Sequence, residues 1–176
     1  MRINGGTKMS VKFKVQMTEK YMYDFMLYHN YTSMSGLMGA VAGVLCLVVF
    51  TQNALKGEAG SSLVWLMCGI LFLVISPYSM KNRAKMQVRN TEMFQKPLEY
   101  ELAEEGVTVR QDDQEMTNAW SDFTKAVSTQ KSVLLYLGRV RALIFPKECM
   151  GEQYEEVMKM IHTHMPPAKV KIRHIH

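Results

Sequence analysis

The sequence predicts a membrane α-helical hairpin of two transmembrane helices carrying a cytoplasmic α+β domain. Three observations lead there. Residues 31–55 and 59–80 contain no charged side chain, whereas charges come every few residues elsewhere. Only Lys56, Gly57 and Glu58 separate the two runs. Beyond them the apolar period shortens to two, and one amphipathic helix closes the pattern.

The runs hold 25 and 22 residues. As helices they would extend roughly 37 and 33 Å, against a hydrocarbon core about 30 Å thick. A core helix of a soluble domain normally keeps one polar face. Neither "GLMGAVAGVLCLVVF" nor "LVWLMCGILFLVI" has one. The competing reading is a very apolar soluble hairpin. A cleaved signal peptide fits poorly, because a second run follows the first at once.

So short a link forces antiparallel neighbours. Gly57 and Gly60 supply the turn, and Ser61 and Ser62 are candidate caps for the second helix. Orientation follows from Lys and Arg counts near the helix ends. The tip has only Lys56; Arg2, Lys8, Lys12, Lys14 and Lys20 precede the first run, and Lys81, Arg83, Lys85 and Arg89 follow the second. The tip is therefore expected outside, with both termini in the cytoplasm of a multi-pass cell-membrane protein. Tyr28, Tyr31 and Tyr78 at the inner ends and Trp65 near the outer end suit membrane interfaces.

The net charge of +5 is uneven. Residues 1–90 hold 10 basic and 3 acidic side chains, residues 91–176 hold 11 and 13. The excess basic charge sits by the apolar runs, where anionic headgroups would attract it. The acidic second half would repel a phosphate backbone, so nucleic acid is not an expected partner.

Residues 1–30 read as a cytoplasmic strand and helix. In "VKFKVQM", Val11, Phe13, Val15 and Met17 share one face. One strand buries nothing alone, so it is expected to pair at the edge of the later sheet. Thr18 is a candidate N-cap for a helix carrying Tyr21, Phe25 and Tyr28 on one stripe. After the helices (31–55 and 59–80, around an external turn at 56–60) comes a basic helical connector, 81–96. Pro77 is expected to aim it.

Residues 97–165 read as short antiparallel strands: "LEYEL", "VTVRQ", "EMTNAW", "TKAVST", "SVLLYL" and "VRALIF". Gly138-Arg139 suggests a two-residue hairpin loop. Gly151 is a candidate N-cap for the last helix, whose stripe is Tyr154, Val157, Met158, Ile161 and Met165. Pro166-Pro167 stops it, leaving 166–176 as a tail. An antiparallel sheet followed by one helix is the outline of a pleckstrin-homology-like domain.

"YELAEEGVTV", "NAWSDFTKAV" and "LLYLGRVRALIFPKE", placed after two adjacent spans, resemble the YcxB-like family of small bacterial membrane proteins. The resemblance covers roughly residues 11–165. It rests on Glu104–Gly106, Trp120–Asp122 and Ile144–Lys147. It implies a membrane-anchored, pleckstrin-homology-like cytoplasmic domain and transfers no catalytic role.

Candidate sites are few. Trp120 with Asp122 reads as a core tryptophan beside a capping aspartate, against a ligand groove. His162 and His164 point about 200° apart on a helix, and His174 and His176 lie in the tail, so no metal site is expected. Cys46, Cys68 and Cys149 lack metal-ligand spacing. Ser35, Gly39 and Gly43 recur every four residues and offer a close helix contact, to the second span or to a second copy as a homodimer. Lys81, Arg83, Lys85 and Arg89 are candidate contacts for anionic lipid. No phosphate loop, nucleophile elbow or triad appears, so neither an enzyme nor a cofactor is expected.

The functional expectation is a non-enzymatic membrane protein whose cytoplasmic domain serves as an adaptor or binding module for a protein partner or the bilayer. The alternative is a small oligomeric transporter or channel subunit. That needs ionisable or polar groups along a pathway, and the runs carry polar residues only near their ends.

Overall fold

The computed structural model describes residues 10–172, apart from 59 and 61. Arg2, Lys8, Ser61, His174 and His176 lie outside the described residues.

Strand β1 (Val11–Val15) is followed by helix α1 (Glu19–Thr32) and helix α2 (Met34–Leu55). Helix α3 (Leu63–Asn90) returns antiparallel to α2. Both α2 and α3 are long and apolar enough to cross a membrane. Gly57 closes the tip at φ 84°, a conformation a side chain resists. Ser33 breaks the path between α1 and α2 with an extended backbone, and its hydroxyl accepts the Gly36 amide. Pro77 does not end α3. A π-helical turn at Leu71–Ile75 precedes it, and the Ser76 amide reaches the Leu71 carbonyl. The wider turn accommodates the amide that proline lacks. The helix stops at Asn90, short of the connector's expected end at 96. There Gln95 donates its side-chain amide to the Val88 carbonyl at 2.6 Å, meeting an acceptor the helix end leaves open.

Strands β2 (Leu98–Ala103), β3 (Gly106–Gln111) and β4 (Gln114–Ala119) form an antiparallel meander. Gly106 in the "E-E-G" turn has no room for a side chain, since a Cβ there would lie 2.1 Å from the Asn118 carbonyl oxygen. β1 completes this sheet at the edge of β2, with Phe13 opposite Tyr100, so the expected edge pairing is present. Residues 16–97 are thus inserted between two adjacent strands of one sheet.

The second sheet contains β5 (Lys125–Ser128), β6 (Ser132–Tyr136), β7 (Ala142–Pro146) and β8 (Val170–Lys171), in the order β7-β6-β5-β8. β8 pairs in parallel with β5, so the segment expected as a tail is partly sheet. Helix α4 (Tyr154–His164) closes the domain, burying Val157, Met158, Met160 and Ile161. The rings of Phe13 and Phe145 lie 5.2 Å apart, and those of Tyr100 and Phe145 4.9 Å. These contacts lock the two sheets face to face around one core.

Several local expectations are corrected. Thr18 stands at the start of α1, but its hydroxyl makes no cap bond and is buried without a partner. Ser62 precedes α3 without a side-chain cap bond. Gly151 lies in a 3₁₀ turn, and Gln153 takes the position before α4. Trp120 opens a 3₁₀ turn rather than ending β4. The Gly138-Arg139 loop is longer than two residues: Tyr136 pairs with Ala142, and the Leu137 amide donates to the Arg141 carbonyl.

Candidate functional site

The small-residue seam lies between α2 and α3. A Cβ added to Gly43 would stand 2.8 Å from Leu73 Cγ, and one on Gly69 2.5 Å from Leu47 Cδ2. Gly43 and Gly69 therefore let the two backbones approach. Gly39 is looser, 3.6 Å from Phe72 Cδ1. Ser35 sits one step further along, its hydroxyl 3.4 Å from that of Ser33. Gly39 and Gly43 thus face the second helix of the same chain, whereas Ser35 meets Ser33. Gly69 escaped the sequence reading because no small residue stands four positions away on either side.

Lys81, Arg83, Lys85 and Arg89 all project from the last turns of α3 and are exposed. They do not form one patch. Successive residues turn by about 100°, so Arg83 points roughly 200° from Lys81, while Lys85 and Arg89 follow Lys81. Between the two sets Ala84 is fully buried, and this part of α3 packs along α1. None of the four makes an ion pair among the described residues.

An apolar groove of about 260 Å³ opens between the first sheet and the edge strand β7. Met17, Phe94, Tyr100, Val109, Met116 and Leu143 line it. No single element carries more than a few of these residues, so no motif marks it. Burial holds the Tyr100 hydroxyl well above its usual pKa. The groove can accept an apolar group, and Gln111, Gln114 and Glu115 on its wall offer polar contacts.

Trp120 does not line that groove. It is 7% exposed, its indole donates to the Ala103 carbonyl at 2.8 Å, and it stacks on His164 at 5.1 Å. Asp122 accepts the Ala119 amide at 3.0 Å. The pair fixes the turn between the sheets. His162 and His164 bond to different carbonyls, those of Met158 and Met160.

Two groups carry reactive side-chain types. The Cys149 thiol is pushed up, first by burial, which reduces its thiolate fraction. Next to it Glu148 takes Lys20 at 2.5 Å and the Tyr21 hydroxyl at 2.8 Å. The second group is Asp24, Thr129, Ser132 and Lys147. Burial holds the Lys147 ammonium below its usual pKa, with Asp24 opposing. Lys147 donates to the Thr129 carbonyl at 2.7 Å, and the Thr129 hydroxyl reaches Asp24. The Ser132 hydroxyl is buried without a partner. A serine beside a lysine suggests nucleophile and base, but Lys147 is held on a carbonyl rather than on Ser132. The cluster joins α1 to the second sheet.

With this geometry fixed, the sheet domain can be compared with known families. Residues 102–161 match the family model for YcxB-like protein. The matched stretch begins inside β2, after both long helices, and ends within α4. It contains "E-E-G", whose glycine has no room for a Cβ, and "W-S-D", whose ends hold the inter-sheet turn. No curated protein matches the chain, and no solved structure does.

Proposed function

We propose that the protein is a non-enzymatic binding module anchored in a cell membrane, with α2 and α3 crossing the bilayer and the sheet domain on the cytoplasmic side. One observation carries this reading. Only 6% of the most apolar window of each long helix is buried within the chain. Met34, Leu37, Val41, Val44, Leu45, Leu63, Val64 and Met67 are all exposed. In water that surface would be costly at about 25 cal/mol per Å², whereas acyl chains accept it. The core helix of a soluble domain would bury it.

The sheet domain is read as pleckstrin-homology-like, with β1 supplied from before the hairpin. The β1–β2 pairing then anchors both ends of the hairpin in one folded unit. Basic residues at the base of α3 favour the cytoplasmic side for that unit. If the headgroups begin near Tyr78, Lys81 lies about 5 Å deeper along the helix and Arg89 about 17 Å. Lys81 and Arg83 then contact phosphates directly, Lys85 lies about one Debye length away, and Arg89 is largely screened. The helix ends at Asn90, about 18 Å beyond Tyr78, and Met93 and Phe94 of the groove follow it, so the groove lies clear of the headgroups and suits a cytoplasmic protein partner.

Alkaline carbonate extraction of membranes containing the full chain tests the anchor. The protein stays with the membrane if the reading is right, and release into the wash contradicts it. Reconstituted liposomes are expected to hold an ion gradient. A leak would favour the transporter alternative.

A further inference from the structure

We propose that the loop between β6 and β7, together with the corner between α1 and α2, forms a seat for the phosphate of an anionic phospholipid. This rests on the membrane reading above and concerns a different set of residues.

The loop reaches the corner because α1 lies on the second sheet. His29, one turn before the end of α1, stacks on Tyr136 at 6.2 Å, and Tyr136 is the last residue of β6. The chain then runs through Leu137-Gly138-Arg139-Val140-Arg141 before β7. An open cleft of about 880 Å³ separates this loop from the corner, lined by His29, Ser33, Met34, Lys125, Arg139 and Val140 among others. Met34 is the first residue of the apolar helix α2. The cleft therefore opens at the height where the helix leaves the aqueous side, which is where headgroups lie.

Its cationic side chains form no ion pair among the described residues. Elsewhere on the domain, Lys12, Lys20, Lys96 and Arg110 sit on carboxylates, while Lys14, Lys131, Lys159 and Lys171 form no ion pair among the described residues but line no cleft with the loop. Lys125 instead lies 4.3 Å over the Tyr136 ring, and neither Arg139 nor Arg141 meets a carboxylate among the described residues. Val140 is 65% exposed between the two arginines. An apolar side chain at a loop tip flanked by guanidiniums suits an interface: the valine enters the acyl boundary and the guanidiniums stay with the phosphates. Arginine pairs with phosphate through two parallel N–H bonds, which gives a defined seat rather than diffuse attraction. A free phosphate would use the charges but not Val140 or Met34, so the lipid is the occupant assigned.

The full chain in detergent, mixed with equal phosphatidylglycerol and phosphatidylcholine and analysed by native mass spectrometry, tests the seat. The wild type is expected to retain phosphatidylglycerol about tenfold in preference. Replacing Lys125, Arg139 and Arg141 by glutamine should abolish that preference, and Val140→Asp should weaken it. Replacing Lys131 and Lys159, both exposed and outside the cleft lining, by glutamine should leave it. No preference in the wild type, or its persistence in the first variant, overturns the seat. So does displacement of the lipid by millimolar inorganic phosphate. These outcomes leave the membrane anchor standing if the same protein resists carbonate extraction. Release by carbonate overturns both. The substituted side chains are exposed or half-buried, and unchanged hydrogen exchange in β5–β7 confirms folding of each variant.

Discussion

In the sandwich the buried side chains are large: Phe13, Phe123, Leu134, Tyr136 and Phe145. In the long helices they are small, Gly43, Gly69 and Ala84; Leu47, Phe72 and Leu73 lie against the glycines, while Leu37, Val41, Leu45, Val48 and Val64 face outward. The two regions solve opposite problems. Water drives large side chains inward, and the resulting core holds the sheets together. Acyl chains offer no such drive, so helices associate by close backbone approach, which only small residues permit. That inversion is itself evidence about the surroundings each region was built for.

The largest expected effect lies in the sandwich. Phe13→Asp puts a charge between Tyr100 and Phe145, in a position 5% exposed. Removing the ring alone should cost about 3–5 kcal/mol, and an unpaired buried carboxylate more. Hydrogen exchange across β2–β7 should lose its protection. Retained protection would mean that β1 is an attachment rather than part of the core.

Next comes the seam. Gly43→Leu forces α2 from α3 and should cost about 1–3 kcal/mol, read as thermal unfolding in detergent. Val48→Leu, at an exposed position, should change little. Equal effects would remove the contrast between small inside and large outside.

Much of this division was legible beforehand. Charge-free runs marked α2 and α3, and the alternation of Val11, Phe13 and Val15 marked a strand in need of a partner. Glycines were harder. Gly138 does take a positive φ of 138°, yet Leu137 and Arg141 pair before the chain turns, lengthening the loop. Gly151 takes φ 51° at the end of a short helical turn rather than starting α4. A glycine announces a turn without saying which strand residues will pair around it. The groove and the cleft were illegible for another reason: the tertiary fold assembles their walls from segments far apart in the chain.

The smallest effect concerns surface charge. Glu101 is held below the usual carboxylate range, first by its bond from Arg110 and then by Lys12. Its contribution is present above the ordinary glutamate pKa and is lost as pH falls through the lower folded-state value. In Glu101→Gln the acid limb of the unfolding curve should flatten slightly, with little change in the relative order of the other variants. A steeper limb would contradict the assignment.

The account depends most on where the tip and the sandwich lie. The direct measurement places single cysteines in a chain cleared of Cys46, Cys68 and Cys149. Lys56→Cys probes the tip without disturbing Gly57, and Gln130→Cys probes an exposed turn of the sandwich. An impermeant maleimide should label Lys56→Cys in intact cells and Gln130→Cys only after lysis. Labelling of Gln130→Cys alone in intact cells would reverse the orientation. Protection of both until lysis would contradict a hairpin that crosses the bilayer.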